Sequence, residues 1–322
     1  MSLPAISIAH TSEHAVALAC PGAAGIDIEH DEADIAAGKK IECPVNVLWG
    51  DNAAMGRQYD VLGICNDGGA CHGNDGVEVA RRKCVRQIAE VVGEKGVDQR
   101  KIGAQRGFVV MAPAYPLLAN YQPDWRALGY QSGTMKAIWD NIRALDYLES
   151  LPFVQPGKFA AVGHSLGGHN AMFVGAFDPR LKVVVSSCGW TLMDYYNIGE
   201  EGSKRYGGRL GPWAQDRYMP LLREKFNLDG DMIPFDFDEV IAAIAPRHFF
   251  SNSPVNDANF DVEGVKKGVA SAKKVYALLG AEENLRVYYP DAGHDFPTDV
   301  RLKAYRFIDD ILRHKAREQV LE

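Results

Sequence analysis

The chain has 322 residues, which is enough for one large α/β domain or for two average domains. Its 47% hydrophobic and 24% charged residues are ordinary for a globular protein and exclude a disordered or fibrous one. The net charge of -7 and the scattered Lys and Arg exclude a basic surface for polyanions, so we expect neither nucleic acid nor a membrane as a partner.

No apolar run reaches the length of about 18 residues that a membrane helix needs, and the longest, 15–26, is interrupted by Pro21. No Lys or Arg precedes this run, which argues against a secretory signal. The six cysteines, at positions 20, 43, 65, 71, 84 and 188, form no C-x-x-C pair. We therefore expect buried free thiols, a cytoplasmic location and no metal site.

Short β-rich apolar runs alternate with amphipathic stretches from about residue 41 onward, which is typical of a parallel sheet covered by helices. Several runs are continuously apolar, as expected of strands buried on both faces. This pattern predicts a doubly wound α/β fold in a single domain, 1–322, with an atypical N-terminal part, 1–63. The predicted strands are 45–49, 59–65, 108–113, 158–163, 181–188, 248–251 and 285–289.

Apolar residues at helical spacing predict helices whose apolar faces belong to the core. There are three such stripes: Val77, Ala80, Cys84, Ile88 and Val91; Ile138, Ile142, Leu145 and Leu148; and Val265, Val269, Ala272, Val275 and Leu279. Residues 190–246 depart from the strand–helix alternation and carry nine aromatic side chains. An insertion of this size at a sheet edge indicates a lid or a pocket wall, with a purely structural excursion as the alternative.

Residues 163–168 read Gly-His-Ser-Leu-Gly-Gly and stand between a predicted strand and a predicted helix. In a G-x-S-x-G turn of this kind, the serine occupies a strained tip where larger flanking residues would collide with the strand and the helix. The helix that follows directs its free N–H groups toward the reacting centre. We therefore predict that Ser165 is a nucleophile.

A serine hydroxyl needs a histidine base that is itself held by a carboxylate, and after such a turn they follow in the order Ser, Asp, His. His294 lies on a short loop between a late strand and the last helix, so we predict that it is the base. His164 and His169 adjoin the nucleophile on a tight turn, where neighbours point elsewhere. We expect them to be structural or to line the pocket.

The carboxylate should follow the strand that precedes His294, and two aspartates lie there. Asp257 comes in the turn just past the strand, whereas Asp261 stands at the N-cap position of the next helix. We predict Asp257 as the acid and keep Asp261 and Asp194 as alternatives.

Two backbone N–H groups are expected to bind the oxyanion. One belongs to Leu166, and the other to Asp67 or Gly68 in the loop Asn-Asp-Gly-Gly, where glycine permits close approach of the backbone. An ordinary turn is the alternative interpretation of that loop.

From about residue 105 onward the chain resembles the α/β-hydrolase superfamily, in particular its dienelactone-hydrolase-like and acetyl-xylan-esterase-like branch. The matching stretches are 107–116 (GFVVMAPAYP), 163–168 (GHSLGG), 252–264 (NSPVNDANFDVEG) and 291–297 (DAGHDFP). The resemblance implies an α/β-hydrolase fold and hydrolysis of a small-molecule ester through an acyl-enzyme, without metal or cofactor. Dienelactone hydrolases carry a cysteine at the elbow, so the serine favours an ordinary esterase.

Residues 25–62 are similar to a late portion of haloacetate dehalogenases, whose nucleophile is an aspartate on its own elbow. The chain has no such aspartate elbow, so the similarity indicates a recombined N-terminal part. A haloacid dehalogenase and a non-catalytic binding protein on a hydrolase scaffold are the alternatives to a serine carboxylesterase.

Overall fold

The structure is a computed structural model that describes Gly103, residues 106–118 and residues 121–316. It also describes the backbone of four short strands nearer the N-terminus, at 3–9, 16–19, 46–49 and 60–61. The predicted stripe from Val77 to Val91, the Asp67–Gly68 loop and five of the six cysteines lie outside the described residues. The sixth, Cys188, is a buried free thiol, as predicted.

The described strands form two sheets. The strands are β1 Leu3–Ala9, β2 Val16–Ala19, β3 Asn46–Trp49, β4 Asp60–Val61, β5 Val109–Met111, β6 Val154–His164, β7 Leu181–Ser187, β8 His248–Asn252 and β9 Leu285–Tyr288. The larger sheet is parallel throughout and has the order β5-β1-β6-β7-β8-β9, and the smaller sheet is antiparallel with the order β2-β3-β4.

Helices connect the strands of the larger sheet and cover it. They are α1 Gly133–Ser150, α2 Leu166–Phe177, α3 Gly199–Tyr206, α4 Leu221–Glu224, α5 Phe237–Ala242, α6 Val262–Leu278 and α7 Thr298–Leu312. Because parallel neighbours require a crossover, α2 joins β6 to β7 and α6 joins β8 to β9. Among the described residues, no helix has the length and apolar character to cross a membrane.

Alternation along the central strands separates two apolar cores. On β6, Phe159 and Ala161 belong to a core with residues of α1, α2, α5 and α6, whereas Ala160 and Val162 face a core formed with α7. Buried apolar side chains on both faces explain why these strands read as continuous hydrophobic runs. The chain therefore has the doubly wound α/β architecture that the sequence pattern predicts.

All seven predicted strands exist, with different ends. Two of them, β3 and β4, lie in the small antiparallel sheet, so the expectation of one parallel sheet from residue 41 onward is wrong for these two. The strand predicted at 158–163 begins earlier, at Val154, where it pairs with Leu3 of β1. Strand β1 itself was not predicted, although it lies between β5 and β6 in the sheet. Sequential strands are usually neighbours, so nothing local assigns an N-terminal segment to the middle of the sheet.

The stripe on α1 is confirmed, because Ile138, Leu145 and Leu148 are buried and Ile142 packs against them. The stripe on α6 is wrong in its second half, since Val275 and Leu279 are 38% and 51% exposed. At a helical period of 3.6 residues, the residue that follows Ala272 on the buried face is Tyr276, which is fully buried. Leu279 follows the last helical residue as the C-cap and is not part of the stripe.

Two matched substitutions on α6 test this corrected face. Val265→Ala should lower the free energy of unfolding by about 2 kcal/mol, because the side chain is 1% exposed and its loss leaves a cavity in the core. Val275→Ala should change the free energy of unfolding by no more than about 0.5 kcal/mol, because that residue is 38% exposed and lies outside the buried core. Chemical denaturation of both variants measures the difference, and equal losses would contradict the assigned face.

Candidate active site

The turn between β6 and α2 holds Ser165 in a strained conformation. Its φ is 54° and its ψ is -121°, in a region that residues with a side chain rarely adopt. The Ser165 N–H donates to the carbonyl of Ser187 on β7 at 2.7 Å, and the Ser165 carbonyl accepts from the N–H of His169 at 3.0 Å. These bonds fix the turn between two strands and the first turn of the helix.

Glycine is required on both sides of this turn. A Cβ at Gly163 would lie 2.0 Å from the carbonyl carbon and oxygen of Gly167. A Cβ at Gly168 would lie 2.8 Å from the carbonyl oxygen of Ser187. The close approach of helix, turn and neighbouring strand explains why the sequence places glycines around Ser165.

Two loops at the carboxyl edge of the sheet bring the predicted acid and base together. The loop after β8 and the loop after β9 are joined by backbone bonds, from Val255 N–H to the Pro290 carbonyl at 3.0 Å and from Asn256 N–H to the Ala292 carbonyl at 3.1 Å. Asp257 follows directly on the first loop and His294 lies on the second. Their contact is therefore set by main-chain pairing as well as by the side chains.

The Asp257 carboxylate oxygens lie 2.9 Å and 3.0 Å from His294 Nδ1. An ionised carboxylate only accepts, so Nδ1 carries the hydrogen and Nε2 is left as the acceptor. The Asp257 side chain is 1% exposed and that of His294 is 26% exposed, so the acid is buried behind a base that reaches solvent.

The carboxylate of Asp257 is held ionised by its hydrogen bonds. Burial alone would raise its pKa, but the His294 ring and the N–H of Asn259 outweigh burial and lower the pKa below the usual value. Oδ1 accepts from Asn259 N–H at 2.8 Å and from Phe260 N–H at 3.2 Å. Asp257 therefore keeps the negative charge that a neighbouring imidazolium needs.

The two alternative acids lie elsewhere. Asp261 caps the N-terminus of α6, where Oδ1 accepts from the Glu263 N–H at 2.8 Å. Asp194 is 73% exposed, and its carboxylate lies 3.8 Å from the Arg209 guanidinium. Of the three aspartates considered from the sequence, the structure brings Asp257 to His294.

Ser165 opens into a pocket of about 240 Å³. Most of its wall comes from residues 190–246, and the rest comes from the turn and from the loop after Asp257. The lining residues are Ser165, Leu166, Tyr196, Ile198, Tyr206, Pro212, Trp213, Gln215, Tyr218, Asn259 and Phe260. The Phe260 ring lies 5.9 Å from the His294 ring between centroids, so the base stands against the same wall.

His164 and His169, the two histidines beside Ser165, both contact other side chains of the described residues. His164 Nδ1 lies 2.9 Å from Ser187 Oγ, and its ring centroid is 5.1 Å from that of His294. His169 is fully buried and stacks on Trp213 at 4.5 Å, behind the pocket wall. Burial lowers the pKa of His169 to about 3, so this ring is neutral at physiological pH.

Leu166 begins α2 and lines the pocket next to Ser165. The first N–H groups of a helix have no partner within the helix, so its N–H is available to a developing negative charge. The other predicted donors, Asp67 and Gly68, lie outside the described residues and stay predictions.

One group of described residues has the composition of a metal site: Cys188, Asp257 and His294 offer ligand atoms within 4.8 Å of one another. Burial, together with the Asp257 charge, raises the pKa of the Cys188 thiol. The protonated thiol donates to the Asp295 carbonyl at 3.2 Å. Metal ligation needs a thiolate, whereas the Cys188 thiol is protonated, and Nδ1, the ring nitrogen that faces Asp257, carries a hydrogen. The donor set fits a hydrogen-bonded acid–base pair better than a metal.

A parallel doubly wound sheet, a strained serine turn after a central strand, and an Asp–His pair on the two following loops define the α/β-hydrolase fold. Two solved structures share this fold at low sequence identity. The glucuronoyl esterase of carbohydrate esterase family 15 from Caldicellulosiruptor kristjansonii has a TM-score of 0.56 at 22% identity, over 70% of this chain and 67% of that one. The glucuronoyl esterase from Solibacter usitatus also has a TM-score of 0.56, at 17% identity, over 96% of this chain and 74% of that one.

Sequence comparison finds related proteins over part of the chain. The family described as "Glucuronyl esterase, fungi" matches residues 128–280, which include Ser165 and Asp257. The "Putative hydrolase YtaP" of Bacillus subtilis (strain 168) is 32% identical over 172 residues, 53% of this chain and 52% of that protein. "Carbohydrate esterase MZ0003", from an unknown prokaryotic organism, is 29% identical over 140 residues, 42% of this chain and 31% of that protein. The chain thus matches about half the length of the first curated relative and a third of the second.

Proposed function

We propose that the protein is a serine hydrolase that cleaves carboxylic esters through an acyl-enzyme. The observation that carries the proposal is the buried Asp257 carboxylate bonded to His294 Nδ1, beside the strained Ser165 turn and at the wall of the same pocket. An esterase activity is also supported by the likeness to the glucuronyl esterase family over residues 128–280.

In this proposal, His294 Nε2 accepts the Ser165 proton as the hydroxyl attacks the ester carbonyl. Asp257 orients the ring and stabilises the imidazolium that forms, which its lowered pKa permits because the carboxylate stays charged. His294 then gives the proton to the departing alcohol, and it acts again as base when water attacks the acyl-enzyme. The carbonyl oxygen carries negative charge in both steps.

The oxyanion is bound, on this proposal, by the Leu166 N–H and by a second N–H from Asp67 or Gly68. The α2 dipole supports the first of these, because the helix presents its positive end to the pocket. Each preorganised donor of this kind typically contributes about 10²- to 10³-fold in rate.

For the substrate, we propose an ester whose acyl group is a neutral sugar ring, as in a glucuronoyl ester. The carboxyl of such a group is tied up in the ester bond, which fits walls of Tyr196, Trp213, Tyr218 and Phe260 without a charged side chain among the described lining residues. Aromatic faces take the apolar face of a sugar ring, and the amides of Gln215 and Asn259 offer partners for hydroxyls.

The two alternative functions, a haloacid dehalogenase and a non-catalytic binding protein, can each be distinguished from an esterase by a reaction. A haloacid dehalogenase needs a carboxylate nucleophile at the turn, where this chain has Ser165, and release of halide from haloacetate would reveal it. A non-catalytic binding protein would not react with a fluorophosphonate. The single domain and the cytoplasmic location stay predictions from the sequence.

A substrate panel tests the proposed acyl group. We expect kcat/KM for benzyl glucuronate to exceed that for benzyl hexanoate, which has the same leaving group, by at least about tenfold, because a flexible acyl chain leaves the pocket's polar groups unpaired. p-Nitrophenyl acetate serves as the control for the hydrolytic machinery itself. A preference for the hexanoate would contradict the sugar-type acyl group and leave the ester hydrolase proposal standing.

Replacement of the nucleophile tests the reaction class. Ser165→Ala should abolish covalent labelling by a fluorophosphonate and lower turnover of p-nitrophenyl acetate by about 10⁴-fold or more, because no other group forms the acyl-enzyme. Its thermal unfolding should stay close to that of the wild type. Turnover within tenfold of the wild type would refute the mechanism.

Two matched Asp→Asn substitutions distinguish the acid from the helix cap. Asp257→Asn should lower kcat by about 10⁴-fold, because the amide no longer holds Nδ1 as the protonated nitrogen. Asp261→Asn should cost at most about 1 kcal/mol of stability and little activity, since asparagine also caps helices. Steady-state kinetics on both variants measure this, and a larger catalytic loss at Asp261 would reverse the assignment.

A further inference from the structure

Three side chains stand side by side at the carboxyl edge of the sheet: His164 on β6, Ser187 on β7 and Asn252 on β8. The strand register pairs His164 with Ser187 and Ser187 with Asn252. We call these three residues the edge row. Neighbouring residues in register on parallel strands point to the same face, so the edge row forms one layer across three strands.

The edge row lies on the face of the sheet that α7 covers. On β6, β7 and β8, Val162, Val185 and Phe250 belong to the core shared with α7, and each stands two residues before its member of the row. The alternation along a strand therefore places the row on that same face. The chain enters α7 through the loop that carries His294, so this loop passes over the row.

Asn252 is fully buried, and its amide connects the row to that loop. Nδ2 donates to Ser187 Oγ at 2.8 Å and to the main-chain carbonyl of Asp295 at 2.9 Å. Asp295 directly follows His294. Both N–H groups of the amide are thus used, one within the row and one on the loop that carries the base.

Two neighbours reinforce this attachment. The Cys188 thiol donates to the same Asp295 carbonyl at 3.2 Å, and the Cys188 N–H donates to the Asn252 carbonyl at 2.9 Å. At the other end of the row, Ser187 Oγ lies 2.9 Å from His164 Nδ1, and His164 directly precedes the proposed nucleophile. A chain of short polar contacts therefore runs from the residue before Ser165 to the residue after His294.

We propose that Asn252 is a positioning residue, which fixes the distance between Ser165 and His294 by tying the base-bearing loop to the strand ends that hold the nucleophile turn. The inference rests on the proposed ester hydrolysis. Asp257 holds the His294 ring through Nδ1, whereas Asn252 holds the main chain beside the ring at Asp295. Both attachments are needed to aim Nε2 at the serine hydroxyl.

The test compares Asn252→Leu with Asn284→Leu. Asn252→Leu removes both N–H donors of the Asn252 amide and keeps a side chain of similar size. The second removes one side-chain bond to the Pro246 carbonyl, 2.7 Å long and away from the pocket. Because a misplacement of about 1 Å can cost about 10²-fold in rate, we expect kcat of Asn252→Leu to fall by about 10- to 100-fold with KM within about twofold. Asn284→Leu should leave kcat and KM unchanged.

Rates are counted per active site, titrated with a fluorophosphonate, so that a smaller folded fraction does not imitate a slower enzyme. A second readout does not depend on turnover. The His294 Nδ1 proton should give a proton NMR signal far downfield of the amides in the wild type, and this signal should broaden or disappear in Asn252→Leu as the ring gains freedom.

If Asn252→Leu does not fold, Ser187→Ala and Cys188→Ala carry the test. Ser187→Ala removes the contacts to His164 and to Asn252, Cys188→Ala removes the contact to the Asp295 carbonyl, and both leave the Asn252 amide in place. Each should lower kcat per titrated site severalfold at unchanged KM. A kcat per site within twofold of the wild type in all folded variants, with the downfield signal intact, would overturn the positioning role. A wild type that neither hydrolyses esters nor reacts with the fluorophosphonate would instead refute the proposed function.

Discussion

The left-handed backbone of Ser165 is the constraint on which the site depends. A serine at φ 54° is unfavourable by about 1–3 kcal/mol, and it persists because the strand, the helix and the neighbouring strand all hold it. The Ser165 N–H is bonded to the Ser187 carbonyl, and the glycines at 163 and 168 remove the atoms that would push helix and strands apart. The conformation of the Ser165 turn thus depends on three packed elements and not on the six-residue motif alone.

In a parallel sheet the carboxyl ends of all strands lie at one edge. At this edge the site has two layers, one of loops and one of side chains beneath them. The loops after β8 and β9 pair with each other through main-chain bonds and present Asp257 to His294. One layer below, side chains at the ends of β6, β7 and β8 connect the turn to the loop that carries the base. The acid–base pair is consequently assembled by loops whose position is set by the register of the strands beneath them.

The sequence predicted the parts of this structure whose causes are local. Apolar runs marked the central strands, and the structure shows the expected steric need for glycine at Gly163 of the turn and at Gly168 directly after it. Asp257 could be preferred to Asp261 as the acid, because the sequence marks Asp261 as the N-cap of the next helix. Chain order pointed to His294, and the structure places His294 against Asp257.

What could not be predicted depended on distant contacts. Strand β1 lies between β5 and β6 although it is far from both in the chain. The predicted end of the apolar stripe on α6 was wrong, because Val275 and Leu279 follow the helical period only approximately. Tyr276 is the residue that is buried there. Asn252 looked like the first residue of a loop, and its importance appears only when the register sets it beside Ser187 and beneath Asp295.

The wall of the pocket and the proposed catalytic residues come from different parts of the chain. Most lining residues come from the single segment 190–246, which leaves the sheet after β7 and returns before β8. The strand ends and loops that hold Ser165, Asp257 and His294 lie outside that segment. On the proposed function, substrate range and reactivity are therefore separable in inheritance. Exchange or drift of one continuous stretch of chain would alter which ester fits the pocket, while the sheet that positions Ser165, Asp257 and His294 stays unchanged.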